Sequence, residues 1–333
     1  MIANGAFRHL SLGKCSLLVL LALGVTGEAK AQSYPSNTIR IVAPTGPGAP
    51  PDVISRIIAT ELAESEGWRV VVENRPGALQ TIALGDVLKQ PPDGYSVFPM
   101  TVGVLATPTL LPNMGLQLDR DFAPVIKIST SYNALVTTPS LPVKSVSELV
   151  ILLKSQPDKL NISASAFGTP SHLLAEVFKL QTGVRAMVIP YQQQQQRMTD
   201  LLNGTNHFAF YNMPAVVNLI DAGKLRGLAV TAPNRVAALK DVPTITEQGF
   251  PNLVVPGEDW VGFAVRRGTP NEFITRLNQA VNKALTKQKI RDALASLGAE
   301  PAGGTPIEFE NLFKSQLAYW GNVVREAGIK IPQ

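Results

Sequence analysis

Few side chains in this 333-residue sequence have the types and spacing that chemistry needs. It holds three histidines, and two of them, His172 and His207, lie beyond the first forty residues. Ser171 precedes His172, but neighbours in sequence are not thereby a nucleophile and its base. No HExxH, CxxC, GxSxG or GxxxxGK[ST] pattern is present. The segment "GPGAPP" (46–51) stands where a dinucleotide loop would, between a strand and a helix. Pro51 replaces the third glycine, and Pro47, Pro50 and Pro51 bring no N–H donors, so a nucleotide is not expected there.

What recurs is a polar or small-residue turn between a strand and a helix start. "GPGAPPD" (46–52), "TVG" (101–103), "SASAFGTPSH" (163–172), the run from Tyr191 through five glutamines, and "YNMP" (211–214) all have this form. In an open parallel sheet such turns gather at the carboxyl ends of the strands, where ligands bind. Helix N-termini there carry unpaired N–H groups and partial positive charge, which suits a carboxylate. Five such turns without a catalytic set point to binding without bond-making, with no metal and no cofactor.

The elements that position these turns alternate. "TIRIVAP" (38–44) reads as a strand, and "DVISRIIATELAESEG" as a helix with Asp52 as N-cap and Ile54, Ile57, Ile58 and Leu62 on one face. "RVVVENRPG" (69–77) is a second strand, a helix follows over 79–90, and "DGYSVFPM" opens a third strand. Further strands are expected at 123–128, 132–137, 161–165, 185–189, 206–211, 226–231 and 260–265. Helices are expected near 170–182, 197–203, 213–222, 271–286, 288–297 and 306–327, and Ser145 with Glu148 forms a capping-box pair. This order is that of βαβ units in two α/β domains.

The ends add compartment. Arg8 and Lys14, the apolar "CSLLVLLALGV" (15–25) and the small residues Ala29 and Ala31 predict a signal peptide over 1–31, cleaved before Gln32. The mature chain would then be exported to the periplasm, without its single cysteine and with a formal charge of +3 instead of +5. No basic run or aromatic-spaced stripe marks a nucleic-acid partner. With no apolar stripe left over for an interface, a monomer is expected.

Several stretches carry a resemblance. "YPSNTIRIVAPTGPGAPPDVISRIIATEL", "VVVENRPGA", "PPDGYSVF", "DRDFAPV", "GTPSHLLAEVFKLQTGV", "DLLNG", "AGKLRGLAVTAPNRVAALKDVPTITEQGFP" and "REAGIKI" are similar, in order, to Bug-type solute receptors of tripartite tricarboxylate transporters. The resemblance implies a two-lobe periplasmic-binding-protein fold (type II, Venus-flytrap) with crossing strands near 132–137 and 257–264. Lobe 1 would be 32–133 plus 259–333, and lobe 2 would be 134–258. It also implies a small organic carboxylate as ligand (a dicarboxylate, tricarboxylate or aromatic acid) and membrane permease subunits as partners.

Carried over residue by residue, the ligand loops are Thr45, Gly46, Gly48 and Asp52, with Ser165, Gly168, Thr169 and Ser171. Asp52 is the more natural helix cap, and Thr101 and Thr107 are weaker candidates, Thr107 standing where the family usually has Asn. The chain departs from the family at "PYQQQQQ". Tyr191 is kept, but Gln192 replaces a usual Lys, Gln193 a usual Gly and Gln196 a frequent Pro. Tyr211 stands where Asp is common, which favours an aromatic or neutral ligand tail. The run therefore reads as a rewritten cleft loop, with Gln192 toward the ligand and Gln194–Gln196 in helix or solvent. Two other readings remain open at this point: an exported hydrolase using Ser171 and His172, and a ligand-sensing partner of a signalling protein.

Overall fold

The computed structural model describes residues 34–253 and 258–331. The expected signal peptide and its cleavage point lie outside these residues.

Ten strands among the described residues make one continuous, mixed sheet system in two halves: β1 (Ile39–Ala43), β2 (Val70–Asn74), β3 (Ser96–Thr101), β4 (Phe122–Thr137), β5 (Asn161–Ser165), β6 (Met187–Tyr191), β7 (Phe208–Asn212), β8 (Arg226–Val230), β9 (Glu258–Arg266) and β10 (Ala299–Gly303). The first half runs β2-β1-β3-β9-β4-β10 and the second β6-β5-β7-β4-β8. β1 is parallel to β2 and β3, as β5 is to β6 and β7, whereas β9 runs antiparallel to β3, and β4 to β7. Strand β4 belongs to both halves. Phe122–Tyr132 pairs with β9, and Asn133–Thr137 pairs with β7.

Two strands are expected over β4 from sequence, because "STSYN" (129–133) interrupts its apolar run. The backbone stays extended there and crosses between the halves, with register shifts against β9 at Pro124/Ile126 and Lys127/Ser129. β10 went unseen, since "AEPAG" has little strand character. Its Pro301 is tolerated because β10 is the outer neighbour of β4.

Helices α1 (Pro50–Glu66), α2 (Thr81–Lys89), α3 (Val146–Ser155), α4 (Pro170–Thr182), α5 (Gln194–Leu202), α6 (Asn271–Leu285), α7 (Gln288–Ser296) and α8 (Pro306–Glu326) cover the sheets. In α1, Ile54, Ile58 and Leu62 recur at helical spacing and are fully buried with Ile39 and Ile41 of β1 and Leu277 and Val281 of α6. Each such side chain stabilises the fold by about 1.5–3 kcal/mol. Thr305 and Glu308 form a reciprocal capping box at the start of α8. Ser145 accepts the Glu148 N–H as expected, but the Glu148 carboxylate takes the Lys144 N–H instead of closing the box.

Two helix starts differ from expectation. α1 begins two residues before Asp52, because Pro50 and Pro51 already hold helical φ at its first positions. Asp52 thus sits in the first turn and reaches back to the Gly48 N–H. Ala78, Leu79 and Gln80 take positive φ, so α2 opens only at Thr81. The helix expected over 213–222 is broken at Val216 into two short turns.

Candidate functional site

A cleft of about 820 Å³ opens where the carboxyl ends of β1, β3, β5 and β7 face each other across β4 and β9. Its floor is β4. Ser129, Ser131 and Asn133, spaced by two, present one face of that strand to it. Apolar walls come from Pro50, Ile54, Met198, Phe210, Trp260 and Leu297. A second hollow, about 400 Å³ on the outer face of α1, is lined by Glu61, Glu64 and Lys289, whose charges pair with one another.

The loop after β1 brings Thr45 and Gly48 to the cleft, while Gly46 is not among the lining residues. Asp52 lies behind them, 2 % exposed, and holds the loop together. It accepts from the Gly48 N–H at 2.9 Å, Arg56 Nε at 2.9 Å and Asn74 Nδ2 at 2.8 Å. Burial opposes its ionisation, but the Arg56, Gly48 and Asn74 donors prevail and hold its carboxyl below the usual value. With two prolines in the first turn, α1 offers few N–H groups to an anion. One donor on this side is the Thr45 hydroxyl, buried without a hydrogen-bond partner. Thr101 also lines the cleft, whereas Thr107 is buried outside it and donates to Leu79 O at 3.1 Å.

Across the cleft, the loop after β5 clusters its hydroxyls. Thr169 donates to Ala166 O at 2.6 Å, so the 2.8 Å Ser165–Thr169 contact takes its proton from Ser165. Ser165 must in turn receive from Ser171, whose oxygen accepts the Ser165 N–H at 2.9 Å. The first-turn N–H groups of Ser171 and His172 in α4 have no carbonyl one turn back. These N–H groups, at the positive end of a 13-residue helix, can hold a carboxylate. Gly168 takes φ +75°, and an added Cβ there would stand 2.9 Å from the Leu79 side chain.

Ser171 gives its proton to Ser165, not to a histidine. The His172 ring is buried against Phe167 with centroids 4.6 Å apart, and its Nδ1 has no partner. Burial lowers its pKa. His207 binds Asn161 elsewhere.

In the rewritten loop, Tyr191 and Gln192 are not among the lining residues. The Tyr191 hydroxyl donates to Asp200 at 2.6 Å and accepts from Asn206 at 2.7 Å, and Gln192 is exposed. Because α5 starts at Gln194, the residues on its cleft face are Gln194, Gln195, Arg197 and Met198. Tyr211 lines the cleft as well, its hydroxyl buried without a partner and pushed up to about 12 by burial.

Two charged residues of the cleft escaped the sequence reading. Arg197 is 2 % exposed, and its Nη2 donates to Ser163 O at 2.9 Å and Phe210 O at 2.7 Å. Burial pushes its pKa down to about 10, still fully protonated at neutral pH. Asp259, on β9, accepts the Trp260 N–H at 2.9 Å, and burial raises its pKa to about 6, with Glu258 adding to the rise. An Arg directly after a glutamine run resembles a solvated helix face, so composition gives no warning. The alternation of Ser129, Ser131 and Asn133 was a readable signal of a strand facing a polar space.

A two-lobed α/β fold of this topology, with an open cleft between strand ends, is that of a solute-binding receptor. The tripartite tricarboxylate transporter family receptor profile matches residues 54–329. BugT of Bordetella pertussis (strain Tohama I) is 32% identical over 320 residues, covering 94% of this chain and 96% of BugT. An R. palustris protein solved with adipate is 36% identical with a TM-score of 0.76, over 89% of this chain and 99% of that one. MatC from Rhodopseudomonas palustris, solved with bound malate, is 28% identical with a TM-score of 0.74, over 87% of this chain and 100% of that one. The chain belongs to the tripartite tricarboxylate transporter receptor family.

Proposed function

We propose that the mature chain is a periplasmic receptor that captures a small organic carboxylate in this cleft and delivers it to a membrane permease. The observation that carries the reading is the set of donors turned on one space. They are the free N–H of Ser171 at the α4 start, on the cleft wall, and the unpartnered Thr45 hydroxyl. Relatives solved with adipate and with malate supply the ligand class. Residues 32–133 with 259–333 act as one lobe and 134–258 as the other, closing on the ligand about the crossing strands β4 and β9. The chain acts as a monomer and binds without turning its ligand over.

A thermal-shift screen tests this. The protein is unfolded and refolded to strip carried-over ligand, then scanned against aliphatic and aromatic carboxylates. A ligand at 100 times its dissociation constant adds about 2.7 kcal/mol, a rise of several degrees at this size. No rise with any carboxylate would remove the reading.

A further inference from the structure

The turn between β2 and α2 carries side chains where glycine would fit best. After Gly77, itself at φ +118°, the residues Ala78, Leu79 and Gln80 take φ of +46°, +52° and +72° in succession. For a residue with a Cβ this region is unfavourable, because the Cβ crowds the following carbonyl, whereas glycine enters it freely. Such strain persists only where the surroundings hold it, and it gathers at ligand clamps and switch regions. Here the surroundings are specific. The Gln80 N–H donates to Gly77 O at 2.9 Å, the Thr81 hydroxyl to Ala78 O at 2.8 Å, and the Thr107 hydroxyl to Leu79 O at 3.1 Å.

Held this way, the turn aims two side chains at the cleft. Leu79 crosses to the turn after β5, so close that a Cβ on Gly168 would stand 2.9 Å from its Cδ2. Gln80 lines the cleft itself. Its Oε1 accepts from the Thr101 hydroxyl at 3.4 Å, which turns Nε2 the other way, toward Gly103. A Cβ on Gly103 would lie 3.1 Å from Gln80 Nε2 and 3.4 Å from both Gly168 O and Pro170 Cδ. The amide therefore meets the first turn of α4, the turn that carries the free Ser171 N–H. One donor from each wall faces the same end of the cleft.

We infer that Gln80 is a ligand-binding residue, its Nε2 donating to the carboxylate that the Ser171 N–H holds, with the left-handed turn aiming it there. The inference rests on the carboxylate reading above and adds a residue to that site. An amide N–H is a neutral donor, so it can take a carboxylate oxygen without requiring a second charge on the ligand. With a donor from each wall, the ligand bridges the walls, and Leu79 over Gly168 closes the same end against water. Thr101 acts through Gln80 as a positioning residue, because its hydroxyl fixes which way the amide faces.

The test reads strain and binding in the same variants. The stripped protein is titrated calorimetrically near neutral pH with succinate, adipate, citrate and benzoate, and its melting temperature is measured without ligand. Gln80→Gly relieves the left-handed residue and removes the amide. It should melt about 1–3 °C above wild type yet bind the best of these acids about tenfold more weakly. Gln80→Met keeps the length and the strain without the donor, so it should bind about tenfold more weakly at an unchanged melting temperature. Gln80→Glu sets a like charge beside the carboxylate and should weaken binding about tenfold further. Thr101→Val should lose about threefold. A residue that only shaped the turn would move stability and affinity in the same direction. Affinity within about twofold of wild type in both Gln80→Gly and Gln80→Met would overturn the inference and leave the carboxylate reading standing, as would wild-type affinity in Gln80→Glu. Failure of the wild type to bind any of these acids would remove both.

Discussion

The guanidinium carbon of Arg197 lies 3.9 Å from the centroid of the Tyr211 ring, with both residues buried in the wall of the cleft. A desolvated contact of this kind contributes up to about 2 kcal/mol. Tyr211→Leu should therefore destabilise the unliganded protein by about 2–4 kcal/mol, adding the lost ring volume to the lost cation–π attraction. Tyr211→Phe keeps the ring and deletes a hydroxyl that has no partner, so its stability should stay within about 0.5 kcal/mol of wild type. Urea unfolding of the two variants separates these outcomes. Equal loss in both would mean that the hydroxyl, not the ring face, supports Arg197.

Asp259 makes the receptor sensitive to pH. Its carboxyl is raised from 3.8 to about 6, so between these values the folded chain keeps a proton that the unfolded chain has released. Stability therefore falls as pH rises through this window, and the penalty is fully present above it. Asp259→Asn should melt a few degrees above wild type near pH 8, and the gap should close as pH approaches about 4. A gap that is constant with pH would show that the Asp259 carboxyl titrates normally. Ionised Asp259 also repels an anionic ligand, so wild-type affinity should weaken as pH rises through about 6, and Asp259→Asn should flatten that dependence.

Asp52 acts in the opposite sense. Its carboxylate is held below the ordinary value, so its contribution is complete above the unfolded value of 3.8 and is lost as pH falls through the depressed folded value. Asp52→Ala leaves the Gly48 N–H and Asn74 Nδ2 without their acceptor and should cost about 1–3 kcal/mol at neutral pH. The same substitution should loosen the Thr45–Gly48 loop and weaken ligand binding. Chemical denaturation at neutral and acid pH should show the difference from wild type shrinking as pH falls below about 4.

Ser171 distinguishes binding from catalysis. Its oxygen accepts the Ser165 N–H and shares a proton with the Ser165 hydroxyl, with no histidine in the chain of donors. Ser171→Ala should weaken carboxylate binding about tenfold while costing about 1 kcal/mol of stability. Neither protein should hydrolyse nitrophenyl esters above background. Turnover by the wild type that disappears in Ser171→Ala would return the chain to the hydrolases.

The alternation of β-branched runs with helical periodicities was enough to read the α/β order, because β1, β3 and α1 bury conventional apolar faces. The quoted family stretches located the loops at Thr45–Gly48 and Ser165–Ser171 for the same reason, since turns between strand and helix carry local sequence marks. What stayed hidden depends on contacts between distant segments. "AEPAG" becomes a strand only because the edge of β4 is there to pair with it. "PYQQQQQRM" allows Gln194–Gln196 in the helix, but gives no sign that a start at Gln194 turns Arg197 inward and leaves Gln192 in solvent. Arg197 matters because Ser163 and Phe210, 34 and 13 residues away, offer their carbonyls.

The ligand carboxylate is expected between the Thr45–Gly48 loop and the Ser165–Ser171 turn. A crystal structure of the stripped protein, reloaded with the best carboxylate from the thermal screen, tests this most directly. A carboxylate within hydrogen-bonding distance of the Ser171 N–H and facing Thr45, with the lobes closed over it, is the predicted result. Ligand density outside the cleft, or a cleft holding only solvent at saturating ligand, would contradict it.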